Sequence, residues 1–227
     1  MGKNQEYKNA ALAALKGNWP QSIVATFVVL VLSQLSVLIV WGIPRLCDSA
    51  NCSQVVIMSV VALVAMLYMY VLVMPCMVGA INAFNALFYR SDNAVLSNMR
   101  DMTFAGYFRN AAGMFLMNLI VSVCSLALIV PGMIVSLSLF LVPYLLHEHP
   151  ELSLVDIMRL SRKMMHGHKM RLFKLALGFL GWELLNIFTL GIGTLWLVPY
   201  AMTATSAFYQ DVREQYIMKV GLQESAS

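Results

Sequence analysis

Two uncharged stretches constrain this chain more than anything else in it. Neither Ile23 to Ile43 nor Val55 to Phe88 contains an Asp, Glu, Lys or Arg. Hydrocarbon offers no water to an open N–H or C=O, so a chain crosses it as a helix or a closed barrel. About 20 apolar residues at the helical rise match a hydrocarbon core of about 30 Å. The first stretch therefore predicts a span over residues 23–43. The second is too long for one straight crossing. It predicts a span over 55–75, a kink where Pro75 removes a helical hydrogen bond, and a continuation into the interface through Asn82 and Asn85. The rest of the chain agrees, since 11% of residues are charged against about 25% in a soluble domain. No Pro/Ser-rich or acidic linker divides it, so residues 1–227 read as a single membrane domain.

Four further spans follow, over about 111–130, 133–146, 172–190 and 193–208. The third and fourth are separated by Pro131-Gly132, a turn signal. The fourth is short and carries Pro143. The last two are separated by Leu190-Gly191-Ile192-Gly193, and the sixth carries Pro199. The expectation is an all-α polytopic protein of six transmembrane helices in three hairpins. With the N-terminus inside, every Lys and Arg except Arg45 lies on the inner side, as the positive-inside rule demands. Both termini are then inside. The first residues carry charge through Lys16 and no cleavage site follows an apolar core, so the first span is expected to persist as an anchor.

The polar segments also repeat. Residues 4–16 read as an amphipathic helix on the inner membrane surface. Residues 91–110 form a mixed polar stretch, and residues 154–165 a basic amphipathic helix. Ser153 and Asp156 supply helix-start chemistry to the last of these. Each segment ends with a glycine before an odd span, at Gly17, Gly106 and Gly167. Each even span carries a proline, at Pro75, Pro143 and Pro199. Three copies of surface helix, span, turn and proline-marked span describe the pattern, although the spacings differ.

Arg159, Arg162, Lys163, Lys169, Arg171 and Lys174 crowd the approach to the fifth span. Such a surface attracts anionic headgroups at about 1 kcal/mol per charge, and it offers a face to a membrane protein partner. No nucleic-acid signature accompanies the positive charge. Glu183 is the one ionisable side chain deep in a span, and an intramembrane acid is a functional candidate by default. Asn186 lies one turn away on the same face. Two readings stay open: a proton or cation site of a small-molecule or ion transporter, and a neutral glutamic acid bonded to a neighbouring helix.

His147, His149, His166 and His168 are all inner-side residues, but neither pair has a zinc-site spacing. No metal or cofactor is therefore expected. No nucleophile elbow, phosphate-cradling loop or carboxylate pair argues for an enzyme. Cys47 and Cys52 share the first outer loop, where an oxidising compartment permits a disulfide.

Several of these pieces occur together. They are Ala14-Leu15-Lys16-Gly17-Asn18-Trp19, Ile129-Val130-Pro131-Gly132, Pro143-Tyr144 and the run from Ser161 to Lys169. Phe179-Leu180-Gly181-Trp182-Glu183-Leu184-Leu185, Leu190-Gly191-Ile192-Gly193, Pro199-Tyr200 and Phe208-Tyr209 complete them. The combination resembles a bacterial family of integral membrane proteins of unknown function, domain-of-unknown-function family 975. The resemblance implies a multi-pass protein of a bacterial inner membrane. It supplies no activity and no catalytic residue. The bottom-up reading is a non-enzymatic accessory or scaffold protein with a basic inner surface.

Overall fold

A computed structural model describes residues 2–46, 54–90, 92–189 and 191–225. Helices joined by short turns make up the described residues, and no strand occurs among them. In chain order the helices are α1 (Gly2–Leu15), α2 (Trp19–Leu46), α3 (Gln54–Tyr68), α4 (Met74–Arg90) and α5 (Val95–Phe104). They continue as α6 (Tyr107–Ala127), α7 (Ile129–Leu139), α8 (Val142–Glu148), α9 (Leu154–Met164), α10 (Lys169–Phe188) and α11 (Thr194–Ser225). Cys47 and Cys52 lie outside the described residues.

Four helical stretches are long and apolar enough to cross a membrane: Trp19–Val40, Val55–Arg90, Tyr107–Leu126 and Ile129–Glu148. They correspond to the first four expected spans. α10 and α11, expected as the fifth and sixth, pair as a hairpin but do not reach the same apolarity. The first turns of α10 hold Lys169, Arg171 and Lys174, and α11 turns polar from Gln210 onward. The outer parts of α2 and α3 expose Phe27, Leu38, Val55 and Leu63. Apolar side chains on every face of a helix are stable only where lipid is the solvent. The Tyr68 hydroxyl closes this hairpin by donating to the Leu32 carbonyl at 2.7 Å.

α3 and α4 form one continuous rod. A π-helical turn over Met69–Val73 immediately precedes Pro75. The wide turn accommodates the ring at the expected kink, where a regular helix would bring it against a carbonyl. The rod from Val55 to Arg90 has 36 residues, about 54 Å at the helical rise. That exceeds the hydrocarbon thickness, so its Arg90 end projects beyond it. The buried core gathers around this projecting end. One cluster holds Tyr144, Phe208, Tyr209, Ile157 and Leu175. The other holds Ala25, Phe84, Leu87, Val95 and Met99.

Several expectations need correction. The second hairpin, of the third and fourth expected spans, does not turn at Pro131-Gly132. α6 ends at Leu128, whose extended backbone (φ −161°, ψ 139°) breaks the helix. Pro131 sits in the first turn of α7, where its missing N–H has no intrahelical role. Gly132 is helical and serves close approach: a Cβ there would lie 2.7 Å from the Ser125 Cα. Pro143 does not kink a continuous span. α7 and α8 are separate, broken at Phe140-Leu141, and Pro143 occupies the first turn of α8. Pro199 does lie inside its helix. α1 packs along α11, with its stripe Tyr7, Ala11 and Leu15 buried.

The repeat receives support at its glycines. Gly17, Gly106 and Gly167 have φ of 89°, 70° and 86°, the left-handed region that glycine enters without steric cost. No heavy atom lies within 4 Å of a Cβ built on any of them. Backbone conformation, not space, requires glycine there. Each stands between a short helix (α1, α5, α9) and a long one (α2, α6, α10).

Candidate functional site

α9 is an N-capped helix with two unlike faces. The Asp156 N–H donates to the Ser153 Oγ at 3.2 Å, and that hydroxyl donates back to the Asp156 carboxylate at 2.6 Å. Ile157, Met158, Ser161 and Met164 are buried, and the Ser161 hydroxyl donates to the Ser138 carbonyl at 2.9 Å. This docking turns Arg159, Arg162 and Lys163 outward. The chain then bends at Gly167 into α10, while α11 runs past the bend as far as Ser225.

Between them lies a cleft of about 540 Å³, lined by Arg162, Lys163, His166, His168, Gln215 and Lys219 among others. Among the described residues no acidic side chain lines it. The buried Gln215 Nε2, turned toward Asp211, has no acceptor within hydrogen-bond distance among the described residues. His168 accepts from Arg171 at Nδ1, at 3.0 Å. This leaves its proton on Nε2 as a further donor. Burial, then the charge of Arg171, pushes the His168 pKa below its ordinary value, so the ring is neutral at pH 7. Three cations and several neutral donors facing one cavity make an anion site in chemical terms.

Not every expected cation belongs to it. Arg171 is committed to a node with Asp211 and the Tyr7 hydroxyl, bonding both. Its guanidinium also sits 5.8 Å from the ring centroids of Tyr7 and Phe208. The Tyr7 hydroxyl donates to Asp211 at 2.6 Å, and Lys3 lies 3.7 Å from the same carboxylate. Burial alone would raise Asp211, but the hydrogen bonds from Tyr7 and Arg171 outweigh it and hold the carboxyl at about 2. Burial first, then the bond to Asp211, pushes the Tyr7 phenol up. The node ties α1, α10 and α11 together. Arg159 pairs with Asp156 at 3.1 Å. Lys169 is half-buried and Lys174 exposed, and neither lines the cleft. Lys219, from the far end of α11, was not expected there. No sequence periodicity links it to α9.

Glu183 is exposed on α10 and forms no ion pair or hydrogen bond among the described residues. Asn186 does not bond it. Asn186 is buried, donates to the Thr194 hydroxyl and accepts from the Thr189 hydroxyl at 3.0 Å, which closes the α10–α11 turn. That turn uses Gly191 at φ 85°. Gly193 allows close approach, since a Cβ there would lie 2.6 Å from Asn186 Oδ1. The four histidines do not converge. His147 and His149 line a different cavity from His166 and His168. Among the described residues no three His, Cys, Asp or Glu side chains gather as metal ligands.

The family described as protein of unknown function (DUF975) matches residues 45–216. The chain belongs to this family. The match runs from the end of α2 into α11 and includes Arg162, Lys163, His166, His168 and Gln215 of the cleft, while Lys219 lies just beyond it. No curated protein and no solved structure is significantly similar.

Proposed function

We propose that this family member is a non-enzymatic accessory or scaffold protein of a bacterial inner membrane, holding anionic lipid headgroups in the basic cleft. The single observation that carries this reading is a cavity lined by Arg162, Lys163, Lys219 and the two histidines, with no acid among the described residues that line it. The cleft opens where α10 begins, beside the cationic start of that helix. In this reading the α10–α11 hairpin completes six crossings and both termini are inside. The charge distribution supports that orientation, because only Arg45 falls on the outer side. A membrane protein partner would meet the same basic surface. The transporter alternative rests on Glu183 and the proline-kinked even spans; Glu183 is exposed on α10 and is not among the lining of the three cavities around α9–α11 and α4.

The test is lipid retention by the detergent-purified protein, measured by native mass spectrometry with phosphatidylglycerol and phosphatidylcholine offered together. The intact protein should retain phosphatidylglycerol preferentially. Replacing Arg162, Lys163 and Lys219 with Gln together should weaken retention by on the order of a hundredfold, from about 1 kcal/mol per charge. Equal retention by the two forms would remove the proposal.

A further inference from the structure

A second cavity, of about 310 Å³, lies on the other side of α11, between α4, α5 and α8. Asn82, Asn85, Arg90, His147, Glu148 and Gln210 are among its lining residues. Its charges are unevenly satisfied. Glu148 accepts from the Tyr209 hydroxyl at 2.6 Å and pairs with Arg213 at 3.1 Å. Arg90 stands exposed at the cavity's edge and forms no ion pair among the described residues.

Two residues of the cavity lining, Asn82 and Gln210, carry buried amide oxygens, Asn82 Oδ1 and Gln210 Oε1, that have no hydrogen-bond partner among the described residues. Both side chains are deeply buried, at 2% and 5% exposure. The Asn82 orientation is determined by its neighbours. Its amide nitrogen donates to two carbonyls, of Val78 and Pro143, each at 2.9 Å. Neither carbonyl can donate, so the oxygen must be the free end. Gln210 donates to the Asn85 Oδ1 at 2.9 Å. Turning both of these amides over would give the free oxygen to Asn85, which lines the same cavity, and leave the Gln210 nitrogen as a free donor. Buried acceptors are ordinarily satisfied, so two beside one cavity call for hydrogen-bond donors inside it.

We propose that this cavity binds a small hydroxylated anion of the polyol phosphate class. Arg90 meets the phosphate, and hydroxyl groups donate to Asn82 and Gln210. The volume is about ten times a water's share of liquid water, roughly 30 Å³, enough for a glycerol phosphate unit. That unit is available as a free solute or as the headgroup of phosphatidylglycerol. The site is separate from the basic cleft and does not depend on it.

The experiment titrates the purified full-length chain in detergent with glycerol phosphate and with inorganic phosphate, by calorimetry. A parallel arm measures phosphatidylglycerol in nanodiscs. Glycerol phosphate or phosphatidylglycerol should bind saturably. The free form, where it binds, should be at least about tenfold tighter than phosphate, the worth of one added hydrogen bond. Binding of the free form assigns a solute site, and binding of the lipid alone assigns a headgroup site. Arg90→Gln, at an exposed position, should weaken binding at least about tenfold. Gln210→Leu should reduce the preference for glycerol phosphate over phosphate. Replacing Arg162 and Lys163 with Gln should leave this binding intact. The proposal is overturned if neither form binds saturably, if Arg90→Gln binds like the unaltered protein, or if loss follows the cleft residues instead.

Discussion

Asp211→Asn should detach α1 from the rest of the protein, and the size of the effect follows from the node. The carboxylate takes hydrogen bonds from Tyr7 on α1 and Arg171 on α10, and Lys3 on α1 stands beside it. Both partners of the ion pair are about three-quarters shielded, with side-chain exposures of 25% and 27%. Lowering a carboxyl from its ordinary 3.8 to about 2 corresponds to about 2 kcal/mol favouring the charged folded form. The substitution also leaves Arg171 without its counter-charge in a half-buried place, so the loss at pH 7 should be about 2–3 kcal/mol. The sign with pH is definite. A depressed carboxyl contributes its full stability above about 3.8 and loses it as pH falls toward about 2. Unfolding titrations in mixed micelles at pH 7 and near pH 2 should therefore show a gap between the two proteins that closes at the lower pH. Trypsin should cut after Lys16 faster in the variant, because α1 opens more often. A variant as stable as the unaltered protein at pH 7, or a gap unchanged near pH 2, would refute the argument.

Other predictions follow from single contacts. Gly79→Ala would place a Cβ 2.7 Å from the Met99 carbonyl across the α4–α5 interface, which should cost about 1–3 kcal/mol in the same unfolding assay. Arg109→Met removes donors to the carbonyls of Leu146, His149 and Leu152, at 2.9, 2.6 and 3.0 Å. It should cost about 2–4 kcal/mol and loosen the end of α8, read as faster amide exchange there. Gly167→Ala forces a side chain to a φ of 86°, and should cost about 1–2 kcal/mol. With Cys47 and Cys52 replaced by Ser, Ile192→Cys, at the tip of the α10–α11 hairpin, should be labelled by a membrane-impermeant maleimide from outside the cell, and the chain without that change should not. Labelling only after the membrane is opened would refute the six-crossing topology.

The long apolar runs, the all-α class and the family were legible from residues 23–43, 55–75 and the motifs near the C-terminus. Hydrocarbon accepts few backbone solutions, so length and apolarity alone specify a crossing helix. The glycines at 17, 106 and 167 were legible for a similar reason: a local φ requirement needs no tertiary partner. The Ser153 cap was legible because the two residues it joins are neighbours in sequence. The prolines were less so. Pro131 and Pro143 mark first turns of helices as readily as breaks, and the chain by itself does not distinguish the two.

What only the tertiary structure decided is which polar residues face each other. Arg171 and Arg159 looked like free cations beside Arg162 and Lys163. Folding spends the first on Asp211 and Tyr7 and the second on Asp156, and it spends Arg109 on three carbonyls. Lys219 enters the cleft across more than fifty residues of chain, and Gln210 meets Asn85 across 125. Glu183, the most conspicuous residue in the sequence, faces outward with no partner found. Periodicity records how a helix presents its own faces. The pairing of charges depends on distances between helices, which hairpin geometry and core packing determine.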